Sequence, residues 1–121
     1  MVQKILFVED DDFNREVITE FLELRGYEVC ALSNGLTFLP TLADFQPNLI
    51  LLDLKLPVID GFTLMEKLRQ TEWAQVPIII LSGLAFRTDR RQALKLGARR
   101  FLVKPTVLEE ISKAIQEELI P

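Results

Sequence analysis

A chain of 121 residues, 49% hydrophobic and 26% charged, has the size of one domain and enough apolar material for a core. It contains no histidine, which excludes imidazole catalysis, imidazole metal ligation and phosphohistidine on this chain. The net charge of −4 argues against a nucleic-acid-binding domain, one cysteine allows no internal disulfide, and no apolar run approaches the ~18 residues of a membrane span.

Met1–Lys4 leads straight into a strand with no signal-peptide pattern, so a cytoplasmic setting and no membrane partner are expected. The first strand is Lys4–Val8, followed by Glu9, Asp10, Asp11 and Asp12. Next comes a helix with Phe13, Val17, Phe21 and Leu24 on one face and Ile18 and Leu22 beside them. Asp11 or Asp12 can cap it and Gly26 can end it. Tyr27–Ala31 is mixed in polarity, as for an edge strand. Pro40 falls inside Leu36–Phe45 and costs ~3 kcal/mol in a helix interior but little in a first turn. The second helix is therefore expected to start late, near Phe38–Pro40, or to be distorted.

Leu49–Leu52 and Pro77–Leu81 are continuous apolar runs, as for strands buried on both faces. Asp53 follows the first run, and Ser82-Gly83 the second. Between them Phe62–Arg69 reads as a helix, with Leu64, Met65 and Leu68 on one face. Arg87–Leu96 reads as another, ending at Gly97. The fifth strand is Arg100–Val103, followed by Lys104-Pro105. The last helix begins somewhere in Thr106–Glu109 and carries the stripe Leu108, Ile111, Ile115 and Leu119.

The strands start at 4, 27, 49, 77 and 100, a spacing that fits repeated βα units. The expected fold is α/β: one domain over residues 1–121, with a doubly wound, five-stranded parallel sheet in the order 2-1-3-4-5 and five helices. Ligands of such sheets bind beyond the carboxyl ends of the strands, where strands 1 and 3 diverge. Those ends carry Glu9-Asp10, Asp53, Ser82-Gly83 and Lys104. Three crowded carboxylates are costly to keep ionised without a cation, and an open oxygen-rich site suits Mg²⁺. A metal, an ammonium, a hydroxyl and a backbone N–H together make an electrostatic cradle for a phosphoryl group, with a carboxylate as the attacking atom.

Four segments then carry a resemblance: Lys4–Asp11, Leu52–Gly61 (LDLKLPVIDG), Ile80–Gly83 and Gly97–Pro105 (GARRFLVKP). In this order and at these separations the chain resembles a response-regulator receiver domain of two-component signalling, of the flavodoxin-like, single-domain chemotaxis-regulator kind. The resemblance implies that Asp53 is the phosphoacceptor. It implies Mg²⁺ held by Asp10 and Asp53, by Glu9 through water and by the backbone carbonyl of Lys55. Ser82 would hydrogen-bond the phosphoryl group and Lys104 would pair with it. Pro105 would follow a cis bond, and Phe101 would be an aromatic switch that moves when Ser82 does. Lys55 and Leu84 would flank the path of attacking water. Ser82 in place of the commoner threonine, Phe101 without a tyrosine hydroxyl, and Leu56 in place of methionine are departures that leave this pattern intact.

The phosphoryl donor implied is a histidine kinase or a histidine phosphotransfer protein, and the output is a changed face of helix 4, strand 5 and helix 5. Such a domain turns over no external substrate, though it assists its own phosphorylation and dephosphorylation. The same features fit a receiver cut from a longer response regulator or a hybrid kinase. An aspartyl-nucleophile phosphatase would need an acid two residues beyond the nucleophile, where this chain has Lys55. A flavin module would need a phosphate-holding first loop, which Glu9–Asp12 would repel. Residues 85–105 hold seven basic residues against Asp89, a net +6, which leaves −10 for the rest of the chain. That asymmetry points to an output partner with acidic groups.

Overall fold

The computed structural model describes residues 1–83 and 86–120, so Leu84 lies outside the described residues. Five strands and five helices alternate: β1 (Lys4–Val8), α1 (Asp12–Leu24), β2 (Glu28–Leu32), α2 (Phe38–Phe45), β3 (Leu49–Leu52), α3 (Gly61–Arg69), β4 (Ile78–Ser82), α4 (Arg87–Lys95), β5 (Arg100–Val103) and α5 (Leu108–Leu119). The strands form one parallel sheet in the expected order β2-β1-β3-β4-β5. Strand β2 is an edge, which accounts for its mixed composition.

Side chains alternate across a strand, so each apolar run feeds two cores. Leu6, Val8, Ile50, Leu52, Ile78 and Ile80 pack with Phe38 and Leu42 of α2, Leu64, Met65 and Leu68 of α3, and Ala93 of α4. Ile5, Phe7, Leu49, Leu51, Ile79 and Leu81 pack on the other face with Ile18 and Leu22 of α1 and Ile111, Ala114 and Ile115 of α5. A strand buried on both faces has no polar side, and this is why β1, β3 and β4 read as unbroken hydrophobic runs.

The helix ends follow local chemistry. Asp11, one of the two candidate caps, is the one used: its side chain accepts from Phe13 N, and α1 is followed by Gly26 at φ +95°. Helix α2 starts at Phe38, with Pro40 in its first turn where no intrahelical donor is lost. Asp60 caps α3 by accepting from Thr63 N at 2.9 Å. The stripe expected on α1 is corrected in part. Ile18 and Leu22 are the fully buried residues, whereas Phe13 and Leu24 are 72% and 81% exposed. The sheet contacts the helix along a line slightly rotated from the Phe13–Leu24 row.

Candidate functional site

The candidate residues are held where the strand ladder runs out. Asp53 N donates to the Val8 carbonyl, Glu9 N to the Leu32 carbonyl, and Lys104 N to the Ser82 carbonyl. Each is the first residue past its strand, tied to the neighbouring strand by a backbone bond of 2.9–3.1 Å. Three elements therefore deliver Glu9, Asp53 and Lys104 to one crevice on a rigid base.

Asp53 is 4% exposed. Its Oδ1 accepts from Lys55 N at 3.2 Å and its Oδ2 from Lys104 Nζ at 2.8 Å. Glu9 is fully buried, and its Oε2 accepts from Asp11 N at 3.1 Å. Glu9 Oε1 forms an ion pair with the same Lys104 ammonium. Burial pushes the Glu9 carboxyl above its ordinary range, against the pull of Lys104 and of the Asp11 N–H. Burial also works to lower Lys104, but its bonds to Asp53 and Glu9 outweigh this and hold its pKa above the ordinary value. The ammonium is thus kept charged between two carboxylates.

Asp10 is exposed at the mouth, and oxygens of Glu9, Asp10 and Asp53 lie within 4.8 Å of one another. The three acids and Lys104 sum to −2, the charge that a dication offsets. Oxygen donors at this spacing fit a hard, partly hydrated cation such as Mg²⁺. A cavity of about 430 Å³ opens over them, lined by Asp10, Asp53, Lys55, Gly83 and Lys104. Lys55 presents its N–H to Asp53 while its side chain is exposed.

Ser82 is fully buried at the end of β4. The Lys104-Pro105 bond is cis, as the resemblance implied. Phe101 is not in the crevice. Its ring is 6% exposed and packs in the core beneath α4, with the Arg90 guanidinium 5.9 Å from the ring centroid. Cys30 is half-buried on β2, and burial pushes its thiol up, away from reactivity.

Two supporting residues were not legible in the sequence. Arg15 Nη1 donates to the backbone carbonyl of Glu9 at 2.9 Å while Nη2 pairs with Asp12 at 2.6 Å, so α1 grips the acidic loop. Gly61 sits against the acceptor: a Cβ there would lie 2.4 Å from the Asp53 carbonyl oxygen and 2.7 Å from Leu54 Cα. Asp60-Gly61 reads as turn chemistry in sequence, and nothing short of the fold reveals that it abuts residue 53.

The family profile described as the response regulator receiver domain matches residues 5–116. The chemotaxis protein CheY of Bacillus subtilis is 32% identical over 120 residues, 98% of this chain and 99% of that protein. The transcriptional regulator RpaA of Synechocystis is 36% identical over 109 residues, 89% of this chain and 45% of that protein. The chain spans about half the length, or less, of most of the curated relatives it matches. The receiver domain of the Pseudomonas aeruginosa sensor histidine kinase PA1611 was solved with a magnesium ion in its active-site cleft. It superposes with a TM-score of 0.89 at 32% identity, covering 98% of each chain. With its sheet order, its acidic crevice and this match over nearly its whole length, the chain belongs to the response-regulator receiver domains, the phosphoacceptor domains of two-component signalling.

Proposed function

We propose that residues 1–121 act as one switch, thrown by phosphorylation of Asp53. The observation that carries this is the setting of Asp53: a nearly buried carboxylate at the end of β3, with one oxygen on the Lys55 N–H, the other on Lys104, and two more acids beside it. A phosphohistidine on a kinase or phosphotransfer protein brings its phosphorus to an Asp53 oxygen. The O–P bond forms as the N–P bond breaks, and the bonding pair stays on the imidazole nitrogen. Asp10, Asp53, the Lys55 carbonyl and, through water, Glu9 would hold magnesium, which when bound would offset charge on the phosphoryl oxygens.

Lys104 exchanges its bond to the Asp53 carboxylate for one to a phosphoryl oxygen, so the ammonium keeps an anionic partner throughout. The Ser82 hydroxyl donates to a second phosphoryl oxygen. Movement of Ser82 alters the packing around the Phe101 ring, and the face formed by α4, β5 and α5 changes with it. Only contacts that differ between the two states can shift the population. No helix among the described residues is long and apolar enough to cross a membrane. The reading keeps the domain at work in the cytoplasm, beside its kinase.

Intact-mass measurement with Mg²⁺ and a small phosphodonor tests this. The expected result is a gain of one phosphoryl group, lost on chelation and lost in Asp53→Asn. Full labelling of Asp53→Asn on another residue would overturn the assignment.

A further inference from the structure

The sheet has two edges, and their sequences differ. An edge strand presents unpaired N–H and C=O groups, and proteins commonly blunt it with basic side chains, proline, a bulge or a short strand. At β5 the edge is four residues long, and Arg100 lies on it, paired with Glu117 and Glu118. At β2 the edge is five residues long and contains no lysine, arginine or proline. Its register with β1 runs unbroken from the Lys4/Glu28 pair to the Val8/Leu32 pair, without a bulge. Glu28 N donates to the Gln3 carbonyl and Glu9 N to the Leu32 carbonyl, so the backbone groups of residues 28, 30 and 32 face β1. The N–H and C=O of Val29 and Ala31 therefore point outward, and no strand among the described residues pairs with them. Ala31 is exposed and too small to screen them.

Beside this edge a cavity of about 740 Å³ lies between Ala31 and α1. Asp12, Glu16, Glu20 and Glu23 line it and stand at i, i+4, i+8 and i+11, so they share one face of the helix. Arg15 is the one base among the described lining residues, and it is committed to Asp12 and to the Glu9 carbonyl. Glu16, Glu20 and Glu23 are exposed and, among the described residues, form no ion pair. The acidic row and the strand are both about 16 Å long. Their periods also agree: acids four residues apart on a helix are about 6 Å apart, and alternate residues of a strand about 6–7 Å. A strand added to β2 would set every second side chain against one carboxylate after another.

We propose that the β2 edge takes a short, extended, basic segment of a partner protein as a sixth strand. The segment's backbone would bond to Val29 and Ala31. Its residues on the face where Val29 packs would carry lysine or arginine toward Glu16, Glu20 and Glu23. Its alternate residues would be apolar or β-branched, on the face of Cys30 and Leu32. This goes beyond the switch proposed above, because the seat uses neither Asp53 nor the face of α4, β5 and α5. Charge selects the occupant. Nucleic acid and anionic membranes would meet the row with their own negative charge. A second copy would satisfy the edge, since antiparallel pairing about Cys30 sets Val29 against Ala31 in both directions. The two-fold axis of that pairing places both acidic rows on the same face of the joined sheet. The row that admits a basic strand therefore turns away another copy.

The test combines fluorescence anisotropy with amide hydrogen exchange by NMR on the whole chain. The probe is a labelled short peptide that alternates lysine with valine or threonine. Its glutamate counterpart, the same lysine peptide N-methylated throughout, and a helical alanine–lysine peptide run in parallel. The N-methylated form keeps its charge but cannot donate to a strand. The expected result is binding of the lysine peptide about tenfold or more above all three, falling with salt. Exchange should slow at Val29 and Ala31 and stay unchanged at Glu28 and Cys30, whose N–H groups already face β1. Ala31→Pro removes an outward donor and no ladder bond, and should weaken binding about tenfold. Glu16→Lys with Glu20→Lys should abolish the preference for lysine over glutamate. Melting followed by circular dichroism checks that both variants stay folded, and the charge reversal decides the matter if the proline variant does not. Several outcomes overturn the proposal: no binding of the lysine peptide, equal binding of the N-methylated or helical peptide, unslowed exchange at Val29 and Ala31, indifference to the charge reversal, or sedimentation that shows the chain pairing with itself through this edge.

Discussion

Lys104 Nζ lies 2.8 Å from Asp53 Oδ2 and at the same time pairs with Glu9 Oε1, so one ammonium serves two buried carboxylates. Lys104→Met leaves those acids without their cation. We expect a loss of about 2 kcal/mol in unfolding free energy without divalent ions, and a smaller loss with Mg²⁺ present. Urea unfolding with and without Mg²⁺ measures both. A loss that Mg²⁺ does not reduce would mean that the lysine supports packing rather than offsetting the acids.

Asp10 and Asp11 are neighbours with different work. Asp10 faces the crevice and Asp11 caps α1. Asp10→Asn should weaken Mg²⁺ binding on the order of tenfold, 1.4 kcal/mol, and slow phosphorylation with it. Asp11→Ala should cost ~1 kcal/mol of stability and leave Mg²⁺ affinity nearly unchanged. Calorimetric Mg²⁺ titration and urea unfolding of the two variants separate the roles. The reverse pattern would exchange them.

The Arg90 guanidinium lies 5.9 Å from the centroid of the buried Phe101 ring. Such a contact is worth about 0.5–1 kcal/mol at an exposed site. If it is broken when the ring moves, Arg90→Ala should shift the unphosphorylated population toward the switched arrangement by about two- to fivefold. Fluorine NMR of 4-fluorophenylalanine at position 101 reads the populations. Identical spectra for parent and variant would show that the guanidinium follows the ring in both states.

Val58 sits at φ +68° in the loop between β3 and α3, where Ile59 N donates to the Pro57 carbonyl at 2.8 Å. A β-branched residue there is strained by about 1–3 kcal/mol, and Val58 is exposed, so its side chain gains little from burial. Glycine relieves the strain at an entropic cost of up to about 1 kcal/mol. Val58→Gly should therefore stabilise the domain by about 1 kcal/mol, about 4 °C in Tm. A lower melting temperature by calorimetry would show that the loop gains more from valine than the backbone loses.

The sheet was legible because burial on both faces writes itself as unbroken apolar runs, and Pro40 could be placed because its cost depends so strongly on helix position. The site was legible because it consists of strand ends, so that knowing the strands located Glu9, Asp53, Ser82 and Lys104 together. Which stripe of α1 faces inward was harder. Phe13 and Leu24 have the right period, but the helix is rotated by contacts with strands and with α5, which no local window contains. The basic stretch was misleading in part for the same reason. Arg99 and Arg100 look outward in sequence, yet their partners Glu117 and Glu118 lie 17 to 19 residues away on α5. Arg15 carries no sequence signal at all, since its target is a backbone carbonyl.

The missing side chain at Gly61 turns two elements into one mechanical part. Its N–H donates to the Leu54 carbonyl at 2.8 Å, and its Cα rests where any Cβ would strike the backbone of Asp53 and Leu54. The first turn of α3 therefore acts as a backstop that sets how far the acceptor can recede from the crevice. Gly61→Ala would press on that backstop from behind, so a methyl group placed outside the cavity would be felt as a displaced carboxylate within it.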